Sequence, residues 1–239
     1  DGQLFCHKAV DALEVAGFPT PHRSSAEMAI ASVSGGCSTL DQVQFFDFVT
    51  AYQAFLDKHH DREFHRFDKN ESGFIERDEL SLLLQECGVK PMKCVLNELL
   101  LEVDEDDSGH LDSNEFRFVM DLIRIREGFT RKEYDTFVRL FEKYDSNKSG
   151  DMDTTELQDI LHWLGFPLDA EETALVVSKV DIDKSGTVNK SEFIVCMRHV
   201  REKELTTIRS IIEENDDDRS GTLGKSELHL ALKGLGYHP

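Results

Sequence analysis

Apolar residues recur at helical spacing on both sides of short polar segments along most of the chain. Around residues 145–156, for example, large apolar side chains stand three or four positions apart before and after the polar segment. They are Phe137, Leu140, Phe141 and Tyr144 on one side and Leu157, Ile160, Leu161 and Leu164 on the other. This spacing places each set on one face of a helix. The pattern predicts repeated helix–loop–helix units whose apolar faces form buried cores.

Five of the polar segments share one twelve-residue pattern. They are DKNESGFIERDE (68–79), DEDDSGHLDSNE (104–115), DSNKSGDMDTTE (145–156), DIDKSGTVNKSE (181–192) and DDDRSGTLGKSE (216–227). Each has Asp at position 1, Asp or Asn at 3, Ser at 5, Gly at 6, an aliphatic residue at 8 and Glu at 12. Ca²⁺ prefers about six to eight oxygen ligands, which the side chains at 1, 3, 5 and 12 and the carbonyl at 7 supply, while Gly permits the tight turn.

These five loops resemble those of the calmodulin superfamily of EF-hand proteins, and the resemblance covers nearly all of the chain. It implies an all-α fold of tandem EF-hand pairs, with short two-stranded loop bridges and long linking helices. It implies up to five Ca²⁺ ions as cofactors, with Mg²⁺ as an alternative at resting calcium. The predicted metal ligands are Asp68, Asn70, Ser72, Phe74, Glu76, Glu79; Asp104, Asp106, Ser108, His110, Asp112, Glu115; Asp145, Asn147, Ser149, Asp151, Asp153, Glu156; Asp181, Asp183, Ser185, Thr187, Asn189, Glu192; Asp216, Asp218, Ser220, Thr222 and Glu227.

Glycine and proline positions predict which loops pair. Fifteen residues after the loop glycines 73, 150 and 221 come Gly88, Gly165 and Gly236, each followed by a proline, which is typical of a helix end and a new start. The loops at 104 and 181 lack such a break. Loop 68 is therefore predicted to pair with loop 104 through Ile75 and Leu111. Loop 145 pairs with loop 181 through Met152 and Val188.

The same spacing predicts two degenerate hands at the start of the chain. Gly17 lies fifteen residues after Gly2, which places Leu4 at position 8 and Lys8 at position 12 of an incomplete loop. Its partner is residues 33–44, beginning at Val33, with Leu40 at position 8 and Gln44 at position 12. We expect neither loop to bind Ca²⁺, because an ammonium group and an amide stand where the carboxylate belongs.

Four domains follow from this reading. They are a degenerate lobe (1–57), two EF-hand pairs (58–127 and 128–202) and a single hand (203–239) that is half of a lobe. The single hand could pair with missing chain, with another molecule or with the first lobe. The chain starts with Asp, which suggests a trimmed product or a piece of something longer.

Helix continuity predicts how the lobes connect. The segments 41–67 and 191–215 contain no Gly or Pro and are predicted to run as single linking helices. The junction at 121–133 contains Gly128 and a capping box from Thr130 to Glu133, and we expect a hinge there. Further capping boxes are predicted at Ser24 with Glu27 and at Asp169 with Glu172.

The net charge of −20 is explained mostly by the loops, and five Ca²⁺ ions would bring it to about −10. This acidity disfavours nucleic acid and anionic lipid as partners and favours an amphipathic or basic helix of a protein. Five cysteines without C-x-x-C spacing indicate reduced thiols in an intracellular compartment, cytoplasmic or associated with the cytoskeleton or an organelle. We expect no transmembrane segment and no secretory leader.

Three other features of the sequence resemble binding sites. GTLGKS at 221–226 lacks the first glycine of a phosphate-binding loop. The set His59, His60, Glu63 and His65 could hold a transition metal, but a solvated helix face is favoured. The arginines Arg117, Arg124, Arg126 and Arg131 could bind an acidic partner or neutralise neighbouring lobes, and both readings stay open. No catalytic motif is found, so we expect no enzyme activity.

The functional prediction is a Ca²⁺-responsive sensor or adaptor, as the resemblance implies. Five methionines against sixteen phenylalanines indicate a stiffer surface and one dedicated protein partner. The alternative is a structural or regulatory subunit or segment of a larger assembly, which the degenerate first lobe favours. A passive calcium buffer is the weaker third reading.

Overall fold

The computed structural model describes residues 3–18, 21–90, 92–166, 169–181, 184–216 and 223–234. It divides the chain into two compact units, Asp1–Thr136 and Phe137–Pro239, which we describe separately. The predicted all-α fold is confirmed, because the strands in these described ranges are two residues long and occur only as loop bridges. Within the described ranges, none of the helices combines the length and apolarity that a bilayer span requires. The finer division into four domains stays a prediction.

The first unit begins with a short bridge strand and continues almost entirely in helices. Its elements are β1 (Leu4–Phe5), a 3-10 turn (Cys6–Lys8), α1 (Ala9–Val15), α2 (Arg23–Ser34), β2 (Thr39–Leu40), α3 (Gln42–Phe67), α4 (Arg77–Glu86), α5 (Lys93–Val103), α6 (Ser113–Arg126) and α7 (Arg131–Tyr144), which continues into the second unit. The rest of the second unit consists of β3 (Asp151–Met152), α8 (Thr154–Trp163), α9 (Ala170–Val180), β4 (Val188–Asn189), α10 (Lys190–Asn215) and α11 (Lys225–Gly234).

Paired loops meet in short antiparallel bridges at position 8. Leu4 pairs with Leu40, Ile75 with Leu111, and Met152 with Val188, as the spacing predicted. In the central pair, each backbone N–H donates to the other residue's carbonyl, at 2.8 and 2.9 Å. Among the described residues, no bridge involves Leu223 of the last hand.

The 26-residue helix α3 connects two cores in the first unit. Its first half contributes Phe48, Tyr52 and Leu56 to a core with α1 and α2, and its last turns contribute Phe64 and Phe67 to the core of the next pair. The second predicted linking helix is also continuous, as α10. Burying aromatic side chains of this size contributes about 1.5–3 kcal/mol each, so α3 is held at both ends.

The helix starts confirm one predicted capping box and correct another. At α9, Asp169 Oδ1 accepts from Glu172 N at 2.8 Å, as predicted. The box at Ser24 is wrong, because α2 begins at Arg23 and its N-cap is His22, which accepts from Ser25 N. The His22 N–H donates to the Tyr52 hydroxyl at 2.9 Å, so the contact with α3 sets where α2 starts.

The junction expected to be a hinge is packed onto the first unit. Glu127 and Gly128 both adopt positive φ, and a methyl group on Gly128 would overlap the Val89 side chain. Phe129 is buried, and the predicted capping box is present, since Thr130 N donates to Glu133 Oε2 at 2.8 Å. Tight packing against Val89 opposes free bending at this point.

Arginines on α6 neutralise acids of neighbouring helices. Arg117 Nη2 lies 2.8 Å from Asp61 on α3, and Arg126 bonds both oxygens of Glu102 on α5 at 2.7 Å. The hydrogen bonds from Arg126 lower the pKa of Glu102. These ion pairs join helices within residues 58–127, so they match neither alternative left open for the arginines, and the choice between an acidic partner and neighbouring lobes stays open.

The histidines of α3 are not a solvated face, which corrects the favoured prediction for them. His60 is 2% exposed, and its Nε2 lies 3.2 Å from Nη2 of Arg124 on α6. The His59 ring stacks on His22 with ring centroids 4.1 Å apart. Of the four residues in the set, only His65 is exposed, as expected for the outer face. These rings therefore pack at the contact of α3 with α2 and α6.

We expect the first unit to lose stability as the pH falls from about 6.5 toward 4. Burial lowers the pKa of His60 to about 4, with added repulsion from Arg124, and burial lowers the pKa of His22 similarly. The unfolded chain therefore binds protons in this window that the folded chain does not. Replacing His60 with Gln should flatten the pH dependence of the unfolding free energy by about 1–3 kcal/mol across it.

Chemical denaturation followed by NMR signals of the Tyr52 core measures this dependence, with His162→Gln on the exposed face of α8 as the matched control. Differences between variants remove the shared contribution of Asp121, whose pKa burial raises. Parallel pH curves for the native chain and His60→Gln would contradict the prediction.

Candidate calcium-binding loops

Helix ends position the first and last residues of every loop. The entering helices α3, α5, α7, α9 and α10 each end one residue before the position 1 Asp. In the first four loops, the position 9 residue is the N-cap of the exiting helix. The position 12 Glu is therefore the third residue of that helix, N3. The glutamate therefore belongs to both the loop and the helix that follows it.

The position 1 carboxylate organises the turn. In the first pair, Asp68 Oδ1 accepts from Ser72 N at 2.9 Å and Asp68 Oδ2 accepts from Gly73 N at 2.9 Å. The same two bonds recur from positions 5 and 6 in the loops at Asp104, Asp145 and Asp181, at 2.8–3.0 Å. One carboxylate thus holds two backbone amides of a turn that has no regular secondary structure.

Two positions of each described loop adopt left-handed backbone conformations. The position 6 glycines 73, 109, 150 and 186 have φ of 80–85°, as their identity predicted. Position 4 does so as well, at Glu71, Asp107, Lys148 and Lys184, with φ of 54–60°. No signal in the sequence predicted this conformation at position 4, because Glu and Lys rarely adopt positive φ unless surrounding bonds hold them there.

Positions 5 and 7 converge through a hydrogen bond. The serine hydroxyl at position 5 donates to the position 7 carbonyl, at 3.0 Å from Ser72 to Phe74 and 2.9 Å from Ser108 to His110. The corresponding bond is 2.7 Å to Asp151 and 3.3 Å to Thr187. The position 5 hydroxyl and the position 7 carbonyl, which are both predicted ligands, therefore lie side by side.

The position 12 glutamate closes the loop on both sides. Glu115 Oε1 accepts from Glu105 N at 3.0 Å, ten residues earlier, and Glu115 Oε2 accepts from Asp112 N at 2.8 Å. Glu79 and Glu156 repeat both bonds, and Glu192 and Glu227 show the bond to position 9. Glu79, Glu115 and Glu192 are buried, so their carboxylates face the inside of the loop.

The donor set fits Ca²⁺ best where the acids are most crowded. Ligand oxygens of Asp104, Asp106 and Glu115 all lie within 4.8 Å of one another. Ligands at about 2.3–2.6 Å on opposite sides of one Ca²⁺ ion have a similar separation. Hydrogen bonds from Ser108 lower the pKa of Asp106, which keeps it ionised. Among the described residues, no other group of three acids, histidines or cysteines is as closely set, and the histidines of α3 do not form one.

Parts of two loops lie outside the described residues. They include the predicted ligands Asp183, Asp218, Ser220 and Thr222. For the last hand, the structure describes Asp216 at the end of α10 and Glu227 in α11. Ile212, Leu228 and Leu230 of this hand are 40–51% exposed.

The degenerate lobe keeps the capping geometry without the charge. Gln44 Oε1 accepts from Asp41 N at 2.9 Å, which is the bond that Glu makes to position 9 elsewhere. Val33, predicted at position 1, lies inside α2, and Lys8 pairs with Asp11 at 3.6 Å. The described part of this lobe therefore offers no converging carboxylates, and its lack of Ca²⁺ stays a prediction.

The helix–loop–helix pairs and the loop geometry define an EF-hand protein, and comparisons with known proteins place it among its relatives. A family model described as an EF-hand domain pair matches residues 134–198, and one described as an EF hand matches 61–84. Troponin C isoform 1 of Balanus nubilus is 34% identical over 138 residues, which cover 57% of this chain and 85% of the relative. Troponin C isoform 2A of Homarus americanus is 33% identical over 137 residues, 57% of this chain and 90% of the relative.

The chain belongs to the calmodulin superfamily of EF-hand calcium-binding proteins, in which the troponin C proteins are its relatives. It is a Ca²⁺-binding EF-hand regulatory protein. The number of ions and the ligands of each loop remain predictions.

We expect five Ca²⁺ ions per chain, with none bound by the first two hands. Glu115→Gln should reduce the stoichiometry by one, because an amide supplies one oxygen and no charge. Native mass spectrometry at saturating Ca²⁺ measures this directly, with Gln44→Ala as the control that leaves the count unchanged. A count that falls with Gln44→Ala, or stays constant with Glu115→Gln, would contradict the assignment.

The loop at Asp104 should be the tighter site of the first complete pair. It places Asp106 at position 3, where the loop at Asp68 has Asn70, and affinity rises with ligand charge. Competition with a calcium-binding dye should show that Glu115→Gln removes the highest-affinity phase of this pair. If Glu79→Gln removes it instead, the order is reversed.

Proposed function

We propose that this protein is a Ca²⁺-responsive sensor that acts on one dedicated protein partner by binding an amphipathic or basic helix. The observation that carries the proposal is the double role of the position 12 glutamate. In the loop at Asp104, Glu115 is fixed to the first turn of α6 and hydrogen-bonded to the backbone at the start of the loop. A carboxylate with both connections transmits a change in the loop to the helix.

Ca²⁺, when bound, supplies a centre of charge that attracts both oxygens of this carboxylate. Glu115 would hold the ion with these two oxygens, which now accept from Glu105 N and Asp112 N, and its own backbone N–H joins it to the first turn of α6. Because Glu79 and Glu156 make the same two bonds, α4 and α8 are coupled to their loops in the same way. Reorientation of exiting helices is the means by which EF-hand sensors expose an apolar groove.

The second unit already has a groove suited to a helix. A cavity of about 660 Å³ lies between α9, α10 and the end of α8. Leu175, Val176 and Val200 supply apolar walls, and Leu175 is 57% exposed. Lys203 and Glu204 line it as well, so the groove offers charges of both signs to the polar edge of an amphipathic helix.

The buried methionines support a dedicated partner. Met120, Met152 and Met197 lie in the cores and are at most 9% exposed. Flexible methionines at a surface allow promiscuous binding, and here most of them are committed to internal packing. The five free thiols support the proposed intracellular location.

The first lobe favours a second candidate, a subunit permanently attached to a larger assembly. Its cavity of about 860 Å³ is lined by Leu4, Phe45, Phe46 and Val49, and Phe46 is 63% exposed. Lys8 and Gln44 stand at position 12 of its two loops, so no metal-dependent glutamate acts on its helices. This groove would hold a helix whether or not Ca²⁺ is present.

Trp163 provides the test that separates a sensor from a buffer. It is the only tryptophan, lies at the end of α8 and is 60% exposed. For a sensor, we expect Ca²⁺ to change its fluorescence and to increase binding of an apolar dye, and Glu156→Gln to remove most of both changes. Gln44→Ala, in the other unit, is the control that preserves them.

Purification of the native partner in Ca²⁺ and in chelator separates the sensor from the permanent subunit. A sensor releases its partner in chelator, and Leu175→Asp weakens the binding of that partner. A permanent subunit keeps its partner in chelator, and Phe46→Asp weakens the binding instead. Ca²⁺ binding without any change at Trp163 or in dye binding would support a passive buffer and refute the sensor.

A further inference from the structure

Two cysteines of the degenerate lobe lie close together at one end of its loop bridge. Cys6 directly follows β1, and Cys37 lies two residues before β2. The register continues past the strands, because Cys6 N donates to the Ser38 carbonyl at 2.9 Å. Cys6 Sγ also donates to the Cys37 carbonyl at 3.3 Å. The thiol of one hand therefore already touches the backbone of the other cysteine.

Cys37 lies in an open turn that permits its side chain to move. Cys37 is exposed and Cys6 is half-buried. Gly35 and Gly36, just before it, have φ of 55° and 88°, and a side chain at either position would meet no atom within 4 Å. Disulfide formation needs Cα atoms about 4.4–6.8 Å apart, and residues directly opposite on an antiparallel pair are about 4.5–5.5 Å apart. Because Cys6 is opposite Ser38, the turn before Ser38 must rotate to bring the Cys37 side chain to the face of Cys6.

The other three cysteines lack this arrangement. Cys196 is fully buried, and burial raises the pKa of its thiol to about 12, so it reacts slowly. Cys87 ends α4, and Cys94 lies in the first turn of α5, on two different helices. Both are exposed and serve as internal controls for simple surface reactivity.

We propose that Cys6 and Cys37 form a reversible intramolecular disulfide by exchange with a low-molecular-weight disulfide such as oxidised glutathione. The exposed Cys37 thiolate attacks one sulfur of that disulfide, forms a mixed disulfide and releases one glutathione thiolate. The Cys6 thiolate then attacks Cys37 Sγ and displaces the second glutathione. Two protein thiols are oxidised, one disulfide is reduced to two thiols, and the two protons pass to the released thiolates.

The bond would link the two hands of the one lobe whose loops lack a carboxylate at position 12. The other pairs have Glu at position 12 of each loop, whereas Lys8 and Gln44 stand there in this lobe. A covalent link between loops 31 residues apart restricts the unfolded lobe and stabilises the folded one. The redox state thus sets the stability of this lobe independently of Ca²⁺.

The test incubates the full chain in buffers of increasing oxidised-to-reduced glutathione ratio, followed by acid quenching, alkylation and mass spectrometry. We expect the chain to lose two thiols without gaining glutathione, and digestion to yield a linked peptide that contains Cys6 and Cys37. This species should form at a ratio about tenfold lower than any product of Cys87 or Cys94. Hydrogen exchange over residues 3–56 should slow on oxidation.

Cys6→Ser and Cys37→Ser should each stop at a mixed disulfide on the remaining cysteine, whereas the control Cys94→Ser forms the linked peptide like the native chain. Peptide mapping of the native chain decides the matter even if a serine variant fails to fold. Separate glutathione adducts on Cys6 and Cys37, or a predominant link that involves Cys87 or Cys94, would overturn the proposal.

Discussion

The pairing of two loops through the backbone at position 8 is the constraint on which the rest of the structure depends. A single hand exposes half of its apolar surface, so it needs a second hand to cover it. At Ile75 and Leu111, two N–H···O bonds fix the register of the hands, and both side chains are fully buried. Once that register is set, the helices on either side close over one shared core.

The acidity of the loops sets a second constraint, which the first unit meets with arginine. Carboxylates brought together at the loops repel one another in the absence of ions. Away from the loops, α6 directs Arg117 and Arg126 at acids of α3 and α5. These pairs reduce the repulsion between helices without occupying any predicted ligand. These arginines therefore pair with acids at the helix contacts, and the loop carboxylates remain available to bind metal.

The contrast between Gln44 and Glu115 separates the structural role of position 12 from its chemical role. Both side chains accept a hydrogen bond from the position 9 amide and begin an exiting helix. Only the glutamate has a second charged oxygen, which accepts from the amide at position 2 of its loop. The capping bond at position 12 is therefore enough to begin the exiting helix, whereas metal binding needs the charge as well. This explains how the first lobe keeps its fold without an acid at position 12 of its loops.

The sequence by itself determined the features that local interactions control. The loop turns, the helix stops at Gly88 and Gly165 and the continuous helices α3 and α10 follow from residue type, because hydrogen bonds within a few residues enforce them. The position 8 pairs are distant in the chain, and the regular spacing of the repeat predicted them. The tertiary structure decided what depends on partners distant in the chain. His60 is buried because α6 covers it, and α2 starts at His22 because Tyr52 holds that residue. The junction at Gly128 is tight because Val89 packs against it. No window of neighbouring residues contains those contacts, since each joins residues at least 30 positions apart in the chain.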